Sequence, residues 1–177
     1  QKKYYLWEKK KIIQSEDLVS IINSTKKNKF SKIHNATKVF QSLRIVVNNE
    51  ISELIYGLIN SFKILPIGGI IVVVSFHSLE DKIIKFFFKN YSEVKNNSRY
   101  LPPNKENKKL FEIIEKKPIT PQKQEIKVNP ASRSAKLRYG IKLNNHIDFS
   151  QFLKKFNYLL EVESLSKKIW KRLFFHY

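Results

Sequence analysis

The chain has 177 residues, 42% of them hydrophobic and 13% aromatic, and a formal net charge of +19. That much apolar material excludes global disorder, and no apolar run reaches the length needed to span a bilayer. The lack of cysteine excludes disulfides and thiolate chemistry, so the simplest expectation is a cytoplasmic protein that meets a polyanion, RNA or DNA ahead of anionic lipid.

An AT-rich genome would raise lysine, isoleucine and asparagine together, which competes with a binding explanation of the charge. The arginines are few: Arg44, Arg99, Arg133, Arg138 and Arg172. Arg133 and Arg138 share one motif, which makes them better candidates for specific phosphate contacts than any lysine. The chain begins at Gln1 and has no methionine, from which an N-terminally incomplete protein is expected.

Residues 1 to 13 mix Tyr4, Tyr5, Leu6 and Trp7 with lysines and read as a helix. Ser15, Glu16 and Asp17 signal a helix start, with Leu18, Ile21 and Ile22 as its apolar side. Lys26 to Lys32 is a basic loop, for which a solvated run is the commonest meaning. From His34 a long helix is expected to run to about Leu65, with Val47, Ile51, Leu54, Ile55, Leu58 and Phe62 on one face. Gln41, Arg44, Asn48 and Asn49 are polar groups near its start, each by itself an ordinary exposed residue.

After Pro66 and Gly68-Gly69, five β-branched residues from Ile70 to Val74 read as a strand buried on both faces. A helix follows, with Leu79, Ile83, Phe86 and Phe87 at helical spacing. Helix, strand, helix is the unit of a parallel α/β sheet, in which ligands collect beyond the carboxyl ends of strands. Here that end is Ser75-Phe76-His77-Ser78. Ser78 and Asp81 have the spacing of a capping pair, and Glu80 adds a second carboxylate to the first turn, so capping explains them as well as function does. His77 falls at the strand end itself and is expected to face the crevice, a core histidine being the alternative.

Residues 91 to 109 are polar and read as a long loop, Leu110 to Ile114 as a strand, and Gln122 to Val128 as one or two helical turns. Asn129-Pro130-Ala131-Ser132-Arg133 is a turn. Ala135, Leu137, Tyr139, Ile141 and Leu143 then alternate with Lys136, Arg138, Gly140 and Lys142, which predicts a strand with one basic face. In the tail Asp148 is an expected N-cap. Phe149, Phe152, Leu153, Phe156 and Leu160 form one stripe, and Leu165, Ile169 and Leu173 another. Docking onto the sheet is the expected use, with a membrane-surface helix as rival.

Three blocks resemble one family, the RsmH/MraW-type methyltransferases of small-subunit ribosomal RNA. They are His34-Asn35-Ala36-Thr37-Lys38-Val39-Phe40-Gln41-Ser42-Leu43-Arg44-Ile45 with Asn48 and Glu50, Gly68-Gly69 through Asp81, and Asn129 through Arg138. The resemblance runs from about Trp7 to Leu143. It implies an α/β fold, the C-terminal half of a Rossmann-like class I methyltransferase sheet. Residues 1–36 would end a helical substrate-recognition insertion, 37–145 would be the C-terminal part of the catalytic domain, and 146–177 a helical extension. It also implies methylation of the N4 amino group of a cytidine in 16S ribosomal RNA, with S-adenosylmethionine as cofactor and the small ribosomal subunit as partner. No membrane partner is expected, and the reading leaves room for a homodimer. The family's glycine-rich loop and acidic cofactor ligand are absent, so most cofactor contacts are expected in a missing N-terminal part and the fragment alone is expected to be inactive. Asn35 stands where the family usually has proline, and Ala131-Ser132 replace a stretch that commonly carries another arginine.

Methyl transfer to an amine needs positioning more than a covalent nucleophile. Ser75, His77 or a main-chain carbonyl at the strand end is expected to accept from the target amine, and His77 is a candidate to receive the released proton. Phe76 is expected to pack against an extruded base. Arg133, Ser134, Lys136 and Arg138 are expected to hold RNA, with Gln41, Arg44, Asn48, Ser78, Glu80, Asp81 and Asn129 as supporting polar groups. No metal is expected. The rival class is a non-catalytic basic RNA-binding module derived from such an enzyme, separable by whether the upstream coding sequence continues into a glycine-rich loop.

Overall fold

A computed structural model of the chain describes residues 12–25, 34–93, 109–145 and 148–174. Two compact units emerge, residues 1–48 and 49–177. In the first, α1 spans Ser15–Thr25 and α2 spans Thr37–Asn48. Asp17 Oδ2 accepts the N–H groups of Ile13 and Gln14 at 3.0 and 3.1 Å, and Ile21 and Ile22 are buried, so this helix start and its apolar side are as expected. His34 Nδ1 accepts from the N–H of buried Ala36 at 3.2 Å just before α2, which buries Ile45. The expected helix at 1–13 and basic loop at 26–32 lie largely outside the described residues.

The second unit begins where the long helix was expected to continue. Asn49 is left-handed, with φ 55° and ψ 36°, and α3 starts afresh at Glu50 and runs to Ile64. Asparagine is among the few residues besides glycine that tolerate this conformation, so one expected helix is two. Ile51, Ile55, Leu58, Ile59 and Phe62 form the buried face of α3. Leu65, which precedes Pro66, is extended, because a proline ring disfavours helical geometry in the residue before it. Gly68 then turns the chain at φ +85° into β1, Ile70–Ser75.

Downstream come α4 (Ser78–Ser92), β2 (Phe111–Glu112), α5 (Lys123–Val128), a 3-10 turn over Pro130–Ser134, β3 (Lys136–Lys142) and α6 (Ser150–Phe174). The strand expected over Leu110–Ile114 shrinks to two residues, because Phe111 and Glu112 alone pair with β3. The helical turns at 123–128, the turn after Asn129 and the alternating strand are where the sequence puts them.

Strand order is β1-β3-β2, with both pairings antiparallel. The parallel arrangement expected from helix, strand, helix therefore does not occur among the described strands, since β3 inserts beside β1 running the other way. Burial also differs. β1 buries Ile71 and Ser75 but leaves Ile70, Val72 and Val74 about half exposed, so it is covered on one face and not two.

The covered face meets α4 and an aromatic core. Phe62, Phe87, Phe88, Phe111, Phe149, Phe152 and Phe156 are buried, mostly in edge-to-face pairs such as Phe62–Phe111 at 5.1 Å and Phe87–Phe152 at 5.1 Å. Each such ring removed from water contributes about 1.5–3 kcal/mol. Gly140 is required here, because a Cβ would lie 2.8 Å from the Phe88 ring. The tail supplies Phe149, Phe152 and Phe156, and Asp148, one residue before the N-cap position, accepts from Ser150 N–H at 2.7 Å through Oδ1. It docks through α3 and α4 instead of the sheet. No described helix is long and apolar enough to cross a membrane.

Candidate active site

The end of β1 is held by the start of α4. His77, and not Ser78, is the N-cap: its Nδ1 accepts from Glu80 N–H at 3.3 Å. Glu80 Oε2 accepts in return from Phe76 N–H at 2.9 Å and His77 N–H at 3.3 Å. The capping pair expected at Ser78 and Asp81 is therefore a His77–Glu80 box one residue earlier. Histidine is rarely an N-cap, which is why the sequence pattern favoured the serine.

The cap decides the tautomer of His77. With Nδ1 accepting, the hydrogen-bond pattern assigns the ring hydrogen to Nε2. Nε2 faces Glu80 Oε1 at 3.2 Å and Glu50 Oε2 at 3.9 Å, and the side chain is 10% exposed. Although 3.2 Å is within reach, alignment is poor, and Nε2 is buried without a well-directed acceptor among the described residues. Two expectations change as a result. His77 turns into the helix instead of the crevice, and it cannot take a second proton at Nδ1 without surrendering the cap. Glu50, His77 and Glu80 also lie close enough to suggest a metal site, but an ion at Nε2 would need the lone pair that now carries hydrogen.

Ser75 is 2% exposed, and its Oγ points at Lys136 O across 3.4 Å. That burial speaks against a direct contact with substrate. Phe76, by contrast, is 57% exposed. Register pairs Ser75 with Lys136, so the 3-10 turn leading into β3 arrives at the same end of the ribbon as Phe76. Within that turn Asn129 Oδ1 accepts from Ala131 N–H at 3.2 Å, and buried Ser132 donates its hydroxyl to Asn129 O at 2.8 Å. Arg133 and Ser134 are exposed. The second and third sequence blocks thus meet, and Glu50, the last residue of the first block, reaches them. Gln41, Arg44 and Asn48 lie on α2 in the other unit.

The basic face of β3 points inward. Arg138 Nε donates to Asp81 Oδ1 at 2.7 Å and its Nη1 to Lys116 O at 3.2 Å, while Lys136 Nζ lies 3.1 Å from Asp81 Oδ2. Burial alone would raise the Asp81 carboxyl, but the hydrogen bonds and charges of Arg138 and Lys136 outweigh it and hold the group below its ordinary 3.8. Arg138, expected to hold RNA, is engaged within the protein: its guanidinium ties β3 to α4. Lys136 shares Asp81 yet keeps a partly exposed side chain. Lys142 is 1% exposed, and its Nζ donates to Phe62 O at 2.8 Å and Leu65 O at 2.6 Å at the end of α3.

Sequence reasoning missed Glu50, Lys142 and Glu163 as site or frame residues. Glu163 left a signal, for it stands seven residues after Phe156 and fourteen after Phe149, on a stripe where an apolar residue is due.

Residues 5–143 match the model of the MraW methylase family. Among curated relatives, a protein of Sulfurihydrogenibium sp. (strain YO3AOP1) named ribosomal RNA small subunit methyltransferase H is 45% identical over 135 residues, 75% of this chain and 41% of the relative. Proteins of the same name are 42% identical over 129 residues in Rhodopseudomonas palustris (strain BisA53), 73% of this chain and 39% of that one, and 49% identical over 113 residues in Bartonella tribocorum (strain CIP 105476 / IBS 506), 64% and 34%. The chain spans roughly two fifths of the length of these relatives. With three motif blocks in order and most of its length matched, the chain belongs to the MraW methylase family.

Proposed function

We propose that this chain is the substrate-facing part of an enzyme that methylates the N4 amino group of a cytidine in 16S ribosomal RNA. The observation that carries the reading is the locked strand end: exposed Phe76 sits on a turn whose N–H groups are both fixed by Glu80, beside a turn that presents Arg133 and Ser134. Such a surface suits a base drawn out of its stack, with Phe76 against the ring and Arg133 on the phosphate. His77 and Glu80 orient this turn. With Ser75 buried and His77 engaged in the cap, a main-chain carbonyl at this strand end is the acceptor for the target amine. Lys136 adds a salt-sensitive contact at the rim.

S-adenosylmethionine would supply a methyl group activated on a sulfonium. The described residues do not by themselves fit that cofactor, since none of Gly57, Gly68, Gly69 and Gly140 stands in a G-x-G loop. Its seat belongs, on this reading, to the length of the relatives that this chain does not span. The half-exposed apolar face of Ile70, Val72 and Val74, on a strand at the sheet edge, supports the same division: a larger Rossmann-like sheet would cover that face and pair that edge.

The test uses the full-length protein, S-adenosylmethionine and small ribosomal subunits, with N4-methylcytidine read by mass spectrometry. Methyl transfer is expected, and Phe76→Ala should lower it by roughly 5- to 150-fold, the equivalent of the ~1–3 kcal/mol lost with a base-stacking aromatic. A full-length protein that forms no N4-methylcytidine, or a Phe76→Ala variant with wild-type turnover, overturns the reading.

A further inference from the structure

Helix α3 begins without a cap of its own. Asn49 stands at the N-cap position in left-handed geometry and makes no side-chain bond to the helix, and its Oδ1 is buried without a partner among the described residues. The first N–H groups of a helix still need acceptors. They are supplied from 112 residues away: Glu163 of α6, 2% exposed, accepts from Ile51 N–H at 2.9 Å through Oε1. Its Oε2 accepts from Ser52 N–H at 2.8 Å and from the Ser52 hydroxyl. A carboxylate in this place also complements the aligned peptide dipoles.

This turn of α3 carries Glu50, whose Oε2 faces His77 Nε2 at 3.9 Å, and His77 with Glu80 fixes Phe76. The route runs from the tail through α3 to the strand end. Residues 5–143 carry the family match, so Glu163 lies outside it. We propose that Glu163 is a positioning residue for the strand-end site, the tail helix setting the first turn of α3 and, through Glu50, the orientation of His77 and the Phe76 turn. The activity consequences rest on the proposed methyl transfer, while the placement of the turn does not.

The opposite end of α3 provides the control, because Lys142 closes it on carbonyl oxygens with no link to His77. In the full-length protein, Glu163→Gln keeps the shape but offers an amide N–H where an acceptor is needed. Hydrogen exchange at the amides of Phe76, His77 and Glu80 should then speed at least roughly tenfold, while those of Ile83 to Tyr91 in α4 keep their wild-type rates. The turnover number should fall by about tenfold, less than the ~100-fold that a misplacement of an ångström can cost. Adding Glu50→Gln should lower it little further, since both changes break one route. Lys142→Met should lower the melting temperature and leave strand-end exchange unchanged.

Uniformly faster exchange in Glu163→Gln, the same strand-end change in Lys142→Met, or losses that multiply in the double variant would each overturn the proposal. Should Glu163→Gln fail to fold, Ser52→Ala removes one donor to the same carboxylate, and strand-end exchange must still rise selectively. If the wild-type protein transfers no methyl group, the functional reading fails by itself, and the exchange comparison still decides the role of Glu163.

Discussion

The two faces of the β1–β3 ribbon invert the usual expectation of polar outside and apolar inside. The inner face carries Lys136, Arg138 and Lys142 opposite Ser75, Val73 and the turn at Gly69, and each cation has an internal partner. The outer face pairs Ile70 with Ile141, Val72 with Tyr139 and Val74 with Leu137, and its β1 half is about half exposed. A charge can go inside when a carboxylate or a set of helix-end carbonyls is waiting for it, and an apolar face can stay open when its cover lies elsewhere in the sequence. Alternation along a strand says that two faces exist, and only partners say which is covered.

Breaking the inner face at its ion pair should cost most. Asp81→Ala leaves the nearly buried guanidinium of Arg138 without its carboxylate, and urea denaturation should show a loss of about 3 kcal/mol. The same pair sets an acid limit. The Asp81 carboxyl titrates lower in the folded protein than in the unfolded chain, so its stabilisation is present above the unfolded value of 3.8 and is lost as pH falls toward the depressed folded value. Asp81→Asn should remove that part of the acid dependence. A wild-type and variant pair with superimposable stability–pH curves below pH ~4 would show that the ion pair contributes nothing.

Next in size is Gly140→Ala, which drives a Cβ to 2.8 Å from Phe88 in a packed aromatic core. A loss of about 2 kcal/mol is expected by thermal or urea melts, and a neutral result would mean that the ring has room to turn. The smallest effect belongs to the open face. Val72→Thr in the chain of residues 1–177 should change stability by no more than about 0.5 kcal/mol. In the full-length protein the same change should cost more, if that face is covered there. Equal effects in both would contradict a cover.

Much of this was legible in residues 15–25, 123–142 and 148–160, where period and turn chemistry agree with the local structure; at 70–78 the strand was legible, but its covered face and its capping residue were not. At the site the sequence marked Phe76, His77, Glu80 and Asp81 as a group, because strand-end position and first-turn carboxylates are local facts. Their tasks were not local. Strand-end position points His77 at the crevice or into a core, whereas it caps α4; spacing leaves Asp81 open between cap and functional group, whereas it holds two cations from a strand some fifty-five residues on.

By itself, the order of the residues determined most helix and strand boundaries, the break at Asn49 and the length of β2 excepted, since backbone geometry at Gly68 and Pro66 and the spacing of apolar side chains act within a few positions. Tertiary structure alone decided that β3 runs antiparallel beside β1, that its lysines and arginine turn inward, and that Glu163 supplies the missing cap of α3. These are choices among partners far apart in the chain, settled by which buried donor finds an acceptor, and no short stretch of sequence contains both halves of such a bond.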